Sequence, residues 1–354
     1  MAISTTERFY DDCSTFNNNL STAGFLSKLY GATTGLGGIT TSSTAARTGT
    51  ARLYSSSTQA TLSYYTNAAP TTLVMGFAVS SAGSTLPAQI IRELLGVRYG
   101  GSDIFFLRAN VNKKIELVSG STVLGTTTTS AIALNAGSYV YIEVGLYLNG
   151  ASSEVYVRIN NTTEILYVGS FAQTSFDEIQ FRTTGSGTTT YHDDIYIHYG
   201  SGSIAASDFL GDIAVYALVP DADSTPFEWL PIPVTTNEYQ HIDDIPSADP
   251  PTTYLYEDTN NQQYYVSLGA LDAAATSIVG VCLVGFMGKG GFGGSAVNAR
   301  MRYKTGGNEY QSSTYTLSST FAYYKHYWVN DPHTGTAWTK AVIDAAFWGA
   351  QKVV

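Results

Sequence analysis

The chain carries little charge. Asp, Glu, Lys and Arg make up 13% of its 354 residues, about half the roughly 25% of an average soluble domain. Cysteine is scarce too. Cys13 and Cys282 are the only two, too few for a disulfide framework, and they read as buried free thiols. Long apolar runs are missing. The longest, Ile278 to Met287, is broken by glycine and too short to span a bilayer. It reads as a strand buried on both faces, and no membrane insertion is expected. The first ten residues, Met1 to Tyr10, lack the apolar core of a Sec signal. Basic residues are scattered and the formal charge is −10. With no basic stripe to neutralise phosphates, nucleic acid is not an expected partner, and an acidic surface repels anionic lipid. Strong helix formers are sparse as well.

What is abundant is Ser, Thr, Asn, Gly and 26 Tyr, a mixture that favours strands and turns. Alternation of apolar and polar residues marks many short strands. In Tyr139 to Leu148, the residues Val140, Ile142, Val144, Leu146 and Leu148 face one way and Tyr139, Tyr141, Glu143 and Tyr147 the other. After Asn149-Gly150 the pattern resumes, with Val155, Val157 and Ile159 inward and Glu154, Tyr156 and Arg158 outward. Asn160-Asn161 turns the chain, because Asn tolerates left-handed backbone. Phe176 to Phe181 is a further strand. In Tyr191 to Tyr199, Ile195, Ile197 and Tyr199 oppose Tyr196 and His198. A second β-run is expected from Ile213 to Val219. Gly120 marks a hairpin turn, where positive φ costs glycine little. Many short strands with regular turns spell an all-β sandwich.

Composition shifts after Pro220. Pro226, Pro231, Pro233, Pro246, Pro250 and Pro251 lie close together among Asp221, Asp223, Asp243, Asp244 and Asp249. Fixed φ angles stiffen such a stretch, which reads as an extended connector, and Trp229 and Tyr239 suit packing on a neighbour. A second β-rich unit follows. Tyr264, Val266 and Leu268 alternate with polar residues, as do Ala299, Met301 and Tyr303 with Arg300, Arg302 and Lys304. Tyr323 to Val329 is an aromatic strand, Asp331 to Gly335 a turn, and Thr339 a helix cap. The expected division is residues 1–222, a connector over 223–262, and a β domain over 263–354.

Three segments carry a resemblance. Asp193-Asp-Ile-Tyr196 followed by Leu210-Gly-Asp212 and Pro220-Asp-Ala-Asp223, the hairpin order leading to Phe176-Asp-Glu-Ile-Gln-Phe181, and Asn330-Asp-Pro-His-Thr-Gly335 leading to the tail resemble virion proteins of tailed bacteriophages with a LamG/concanavalin-A-like jelly roll. The resemblance implies a jelly-roll sandwich and a non-enzymatic structural component of the virion, a tail- or baseplate-associated fibre or a surface decoration protein. Its partners would be other virion proteins and further copies of this chain. It would be assembled in the host cytoplasm and located in the virion. The alternative is a carbohydrate-binding adhesin recognising a host-surface glycan; a polysaccharide-degrading enzyme stands third.

Catalytic and metal motifs are weak. A retaining glycosidase needs two carboxyls about 5 Å apart on one sheet face. Phe176 to Phe181 does not supply two: Asp177 shares a face with Ile179 and Phe181, and Glu178 with Gln180 and Arg182. His192-Asp193-Asp194 and His241 with Asp243 and Asp244 contain ligand types, but neighbouring strand residues point to opposite faces. Gly288 to Gly294 lacks the Walker spacing and reads as a hairpin tip available for assembly. No cofactor, metal or catalytic residue is assigned. The candidate interface or glycan contacts are Tyr139, Tyr141, Tyr147, Tyr156, Trp229 and Tyr239, since outward tyrosines stack on sugars and anchor interfaces.

Overall fold

The computed structural model describes residues 4–11, 31–34, 39–42, 52–55, 59–66, 69–82, 92–128, 138–184, 189–234, 237–242, 254–289 and 296–353. It is almost entirely β and falls into two units, Met1–Ala217 and Leu218–Val354.

The first unit is a sandwich of two antiparallel sheets. One sheet runs β13 (Thr162–Gly169), β12 (Ser153–Ile159), β11 (Val140–Tyr147), β6 (Thr72–Ala82), β15 (Thr189–Ser201), β4 (Arg52–Ser55), β3 (Ile39–Ser42), with β1 (Ser4–Asp11) also on β15. The other runs β10 (Thr122–Thr126), β9 (Ile115–Ser119), β8 (Ser102–Ala109), β7 (Arg92–Tyr99), β14 (Glu178–Thr184), β5 (Gln59–Tyr65), β2 (Gly31–Thr34). Rings meet edge-on across the gap: Phe77 on Phe181 at 5.8 Å and Tyr64 on Tyr199 at 6.2 Å. Fully burying an aromatic or aliphatic side chain here contributes about 1.5–3 kcal/mol, and Phe77, Ile142, Val144, Val155, Val157 and Ile179 are all completely covered. Turn chemistry follows the sequence. Asn160 and Asn161 take φ of 45° and 70° between β12 and β13, and Gly120 takes 58° between β9 and β10.

The long strand β15 carries a bulge between Asp193 and Tyr196, with Asp194 at φ 48°. Two residues, Asp194 and Ile195, there oppose the single Phe77. His192, ahead of the bulge, points inward, between Phe77 and Phe181 at 5.6 Å each; Asp193 pairs with Ala78 before the bulge and Tyr196 with Gly76 beyond it.

Two expectations are corrected. Ile213 to Val219 forms no strand; its Val215 amide donates to the Asp194 carboxylate of β15. The Pro- and Asp-rich segment is extended over β16 and β17 and turns through a short 3-10 helix at Glu238–His241, and it does not stand apart as a connector from 223. β16 (Pro220–Phe227) is an edge strand paired with β19 (Gln263–Leu268), and β17 (Leu230–Ile232) pairs with β18 (Tyr254–Tyr256). Proline is tolerated there because one edge of β16 needs no ladder donors.

In the second unit, β16, β19, β25 (Phe347–Val353), β21 (Asn298–Thr305) and β22 (Asn308–Gln311) form one sheet, with β23 (Tyr315–Thr316) also on β21. Tyr303 lies at the centre of its aromatic core, 4.8 Å from Trp348, 5.2 Å from Trp338 and 6.1 Å from Trp328. The turn at Asp331 locks this core. The buried Asp331 carboxylate accepts the Tyr303 hydroxyl at 3.0 Å, the His333 amide at 2.9 Å and the Thr334 hydroxyl at 3.0 Å, and Gly335 closes the turn at φ 71°. Thr339 caps a single-turn helix, α1 (Lys340–Asp344), accepting the Val342 amide at 3.3 Å. A separate two-stranded ribbon pairs β20 (Val281–Met287) with β24 (Ala322–Trp328).

Candidate functional site

The first candidate surface is the outward face of β11 and β12. It is closed by the chain's own residues 203–217. Ile204, Phe209, Leu210 and Ile213 of this strap lie on Val74, Ala78, Tyr141 and Tyr196. Two glycines make the trough. A Cβ on Gly76 would collide with the Tyr196 ring and come within 2.8 Å of Tyr141, and one on Gly145 would meet Phe209 at 2.8 Å. Neither has positive φ; the space is what requires glycine.

Glu143 ties the strap down. Its side chain is 1% exposed. Oε1 accepts the Tyr196 hydroxyl at 2.6 Å and the Gly211 amide at 2.7 Å, and Oε2 accepts Arg158 Nη1 at 2.8 Å. Arg158 also lies over Phe209, 4.7 Å from its centroid. Asp194 is the second anchor: its carboxylate accepts the Val215 amide at 2.8 Å and its carbonyl the Tyr141 hydroxyl at 3.1 Å. Asn161 accepts the Asp212 amide at 2.8 Å. Burial, then the neighbouring Glu143 charge, raises Tyr196 well above the ordinary phenol range, so it acts here as a donor and not as an acid.

This changes the reading of the tyrosines. Tyr141 is 1% exposed and is part of the covered layer, so as a contact for a partner or sugar it is corrected: alternation gives the face of a side chain and not what lies on that face. Tyr139, Tyr147 and Tyr156 are half-buried. Tyr156 donates to Glu154 at 2.9 Å and lies against Phe209. Trp229 and Tyr239 belong to the second unit. Trp229 donates to the Gln262 carbonyl at 3.0 Å and stacks edge-on with Tyr264, and the Tyr239 amide donates to Asp223 at 2.6 Å.

The second candidate surface is the polar face of the opposite sheet, where β14, β5, β7 and β8 bring together residues far apart in sequence. Glu178 Oε1 accepts Ser63 at 2.6 Å and Gln180 at 2.7 Å, while Oε2 accepts Arg98 at 2.8 Å. Arg182 donates to Gln180 at 2.9 Å, to Asp103 at 3.0 Å and to Glu93 at 3.2 Å. Arg98 reaches Asp103 at 3.2 Å. Gly96 leaves room for the Arg182 guanidinium, which a Cβ would strike. Burial works to raise the Glu178 carboxyl, but hydrogen bonds from Ser63 and Gln180 and the Arg98 charge outweigh it and leave it below the ordinary range. Tyr65, 42% exposed, borders this face, and burial and the Glu178 charge raise its phenol. Sequence reasoning paired Glu178, Gln180 and Arg182 on one face but missed Glu93, Asp103 and Arg98. They arrive through β-pairing across more than 70 residues, for which a single sequence gives no signal. A carboxylate held ionised by three donors is poorly suited to give up a proton as a general acid.

His192 and its neighbours do not converge. Buried in the core, His192 is pushed down to about 4 by desolvation. His241 is buried at the end of a short 3-10 turn, and Asp243 and Asp244 lie outside the described residues, as do Cys13 and residues 290–294 of the glycine-rich stretch. Burial pushes the free Cys282 thiol up to about 12. Among the described residues, no three His, Cys, Asp or Glu side chains gather to hold a metal ion, and no helix is long and apolar enough to cross a membrane.

No family model matches the sequence, and no curated protein matches it. Solved structures do show likeness. A cellulose-induced protein, Cip1, is 11% identical with a TM-score of 0.36, over 47% of this chain and 88% of that one. An alginate lyase of polysaccharide lyase family 7, AlgAT5, is 10% identical with a TM-score of 0.31, over 42% of this chain and 82% of that one. A sialidase is 12% identical with a TM-score of 0.33, over 51% of this chain. The chain spans about a fifth (20%) of that sialidase's length.

Proposed function

We propose that this chain is a non-enzymatic structural component of a tailed-phage virion, a tail- or baseplate-associated fibre or surface decoration protein that works by protein–protein assembly in multiple copies. The observation that carries the non-catalytic part is the saturation of the two buried glutamates. Glu143 and Glu178 have both oxygens engaged by fixed internal donors. Such carboxylates hold a scaffold rigid and carry no proton poised for a substrate. The virion assignment is supported by the sequence resemblance of Asp193 to Asp223, Phe176 to Phe181 and Asn330 to Gly335. Mass spectrometry of purified particles from a lysate encoding the chain tests it. Stoichiometric recovery with the particles is expected, and the chain's absence from them overturns the assignment. Loss of viscosity in a polysaccharide incubated with the protein would overturn the non-enzymatic part.

A second reading, a glycan-binding adhesin, is favoured by one feature. The exposed Tyr65 ring borders fixed amide, guanidinium and carboxylate groups, the combination that stacks on and hydrogen-bonds a sugar. A glycan array with the wild-type protein and Tyr65→Ala separates the two. Binding that the variant loses supports the adhesin, and a blank array leaves the assembly reading alone.

A further inference from the structure

From the ribbon β20–β24 we infer that strand β20 pairs antiparallel with β20 of a second copy of this chain, making a continuous four-stranded sheet across a twofold axis. The inference rests on the assembly reading and names its surface.

Strand β20 departs from what its composition predicts. Val281-Cys-Leu-Val-Gly-Phe-Met287 has no charged or strongly polar side chain, and a strand of that composition is normally buried on both faces. Here none of its seven residues is fully enclosed: five, Cys282 among them, are half-buried, and Val284 is 45% and Phe286 36% exposed. Its register with β24 runs unbroken from Val281–Trp328 to Met287–Ala322. Among the described residues no strand pairs with its other edge. Soluble proteins blunt open edges with Lys, Pro or a bulge, and β20 has none of these. A lone two-stranded ribbon is also marginal in water. The surface has the character of a half-made sheet.

Charge identifies the occupant. Two copies of a chain with formal charge −10 repel over most of their surfaces, and an edge strand bearing charge sets like charges against each other when it meets itself. β20 brings no charge to such a pairing. A twofold contact is self-complementary, and with Val284 at the middle of the seven residues it sets Val284 against Val284, Leu283 against Gly285 and Cys282 against Phe286. The nearest charge in register, Lys325 opposite Val284, lies one strand further from the axis.

Sedimentation of the full chain with Val284→Lys and Val284→Glu tests this. The exposed position admits either side chain, and circular dichroism checks that each variant is folded. Wild type is expected to be a dimer or an even-numbered assembly, each variant half that size, and a one-to-one mixture of the two variants to recover the wild-type size. A monomeric wild type, or variants that keep its size, overturns the inference. The two readings fail separately: monomers still found in purified particles leave the virion role standing, whereas dimers obeying the charge rule but absent from particles remove the virion role and keep the self-pairing.

Discussion

Replacing Glu143 by Ala tests whether the strap is held by this carboxylate. An exposed ion pair contributes about 0.2–1 kcal/mol, so if Glu143–Arg158 were only that, the variant would be nearly silent. The geometry argues for more. Glu143 is 1% exposed and accepts three donors, two of them the buried Tyr196 hydroxyl and the Gly211 amide. Each hydrogen bond to an ionised group contributes about 1.5–3 kcal/mol. The full sum does not apply, because Arg158, with its side chain 18% exposed, can turn toward water. A loss of about 3–5 kcal/mol, the range for breaking a buried pair, is the expected result. At about 2–4 °C per kcal/mol for a domain of this size, the melting temperature falls by about 6–20 °C. Glu143→Gln keeps an oxygen for Tyr196 and Gly211 but turns an amide nitrogen toward Arg158, and is expected to fall between. Hydrogen exchange read by mass spectrometry should show lost protection first in the peptide covering Leu210 to Val215. A melt within about 0.5 kcal/mol of wild type, the ordinary range for a surface change, or unchanged protection of that peptide, would refute the reasoning.

Other perturbations reach other parts of the fold. His192 is neutral in the core at about 4 against about 6.5 unfolded. The unfolded chain therefore takes up its proton first as pH falls, and stability declines between about 6.5 and about 4 by about 3 kcal/mol; in His192→Phe, urea midpoints should lose that slope. Glu178 has the opposite linkage, its folded pKa lying below the ordinary value. Its contribution is present above the unfolded value near 4.3 and lost as pH falls through the folded one, so wild type and Glu178→Gln should converge in acid and separate above about pH 5. Gly76→Ala forces the Tyr196 and Tyr141 rings apart and is expected to cost about 1–3 kcal/mol, read by thermal melting and near-ultraviolet circular dichroism. Asp331→Ala leaves the buried Tyr303 hydroxyl without its acceptor and should cost about 1–3 kcal/mol, visible as a shift in tryptophan fluorescence unfolding.

Local rules carried much of the fold. Strict alternation in Val155, Val157 and Ile159, consecutive left-handed Asn160 and Asn161, and the Thr339 cap all act within a few residues, and a sequence displays them directly. The strap was illegible because Tyr141 and Glu143 have the parity of an outward face whether water or Phe209 lies on it. Gly76 and Gly145 carry no signal of their role until the rings above them are known. The polar face was half legible: β14 sets Glu178, Gln180 and Arg182 on one side by its own period, whereas Arg98 and Asp103 join by pairing between distant segments. Pro226 argued for a connector, and only the position of β16 at a sheet edge reconciles it with a strand.

The bulge at Asp194 sets the phase of the whole C-terminal half of β15. Because a pleated strand has a period of two, a regular strand through Asp194 and Ile195, with no bulge, would slide every later residue to the wrong side. Tyr196 and His198 would turn toward the gap between the sheets, and Ile197 and Tyr199 toward the strap. The bulge thus keeps hydrocarbon and hydroxyl on their proper sides; deleting Asp194 leaves one residue opposite Phe77 and Tyr196 still opposite Gly76, so the cost of that deletion is the lost bonds of Asp194 to Val215 and Tyr141.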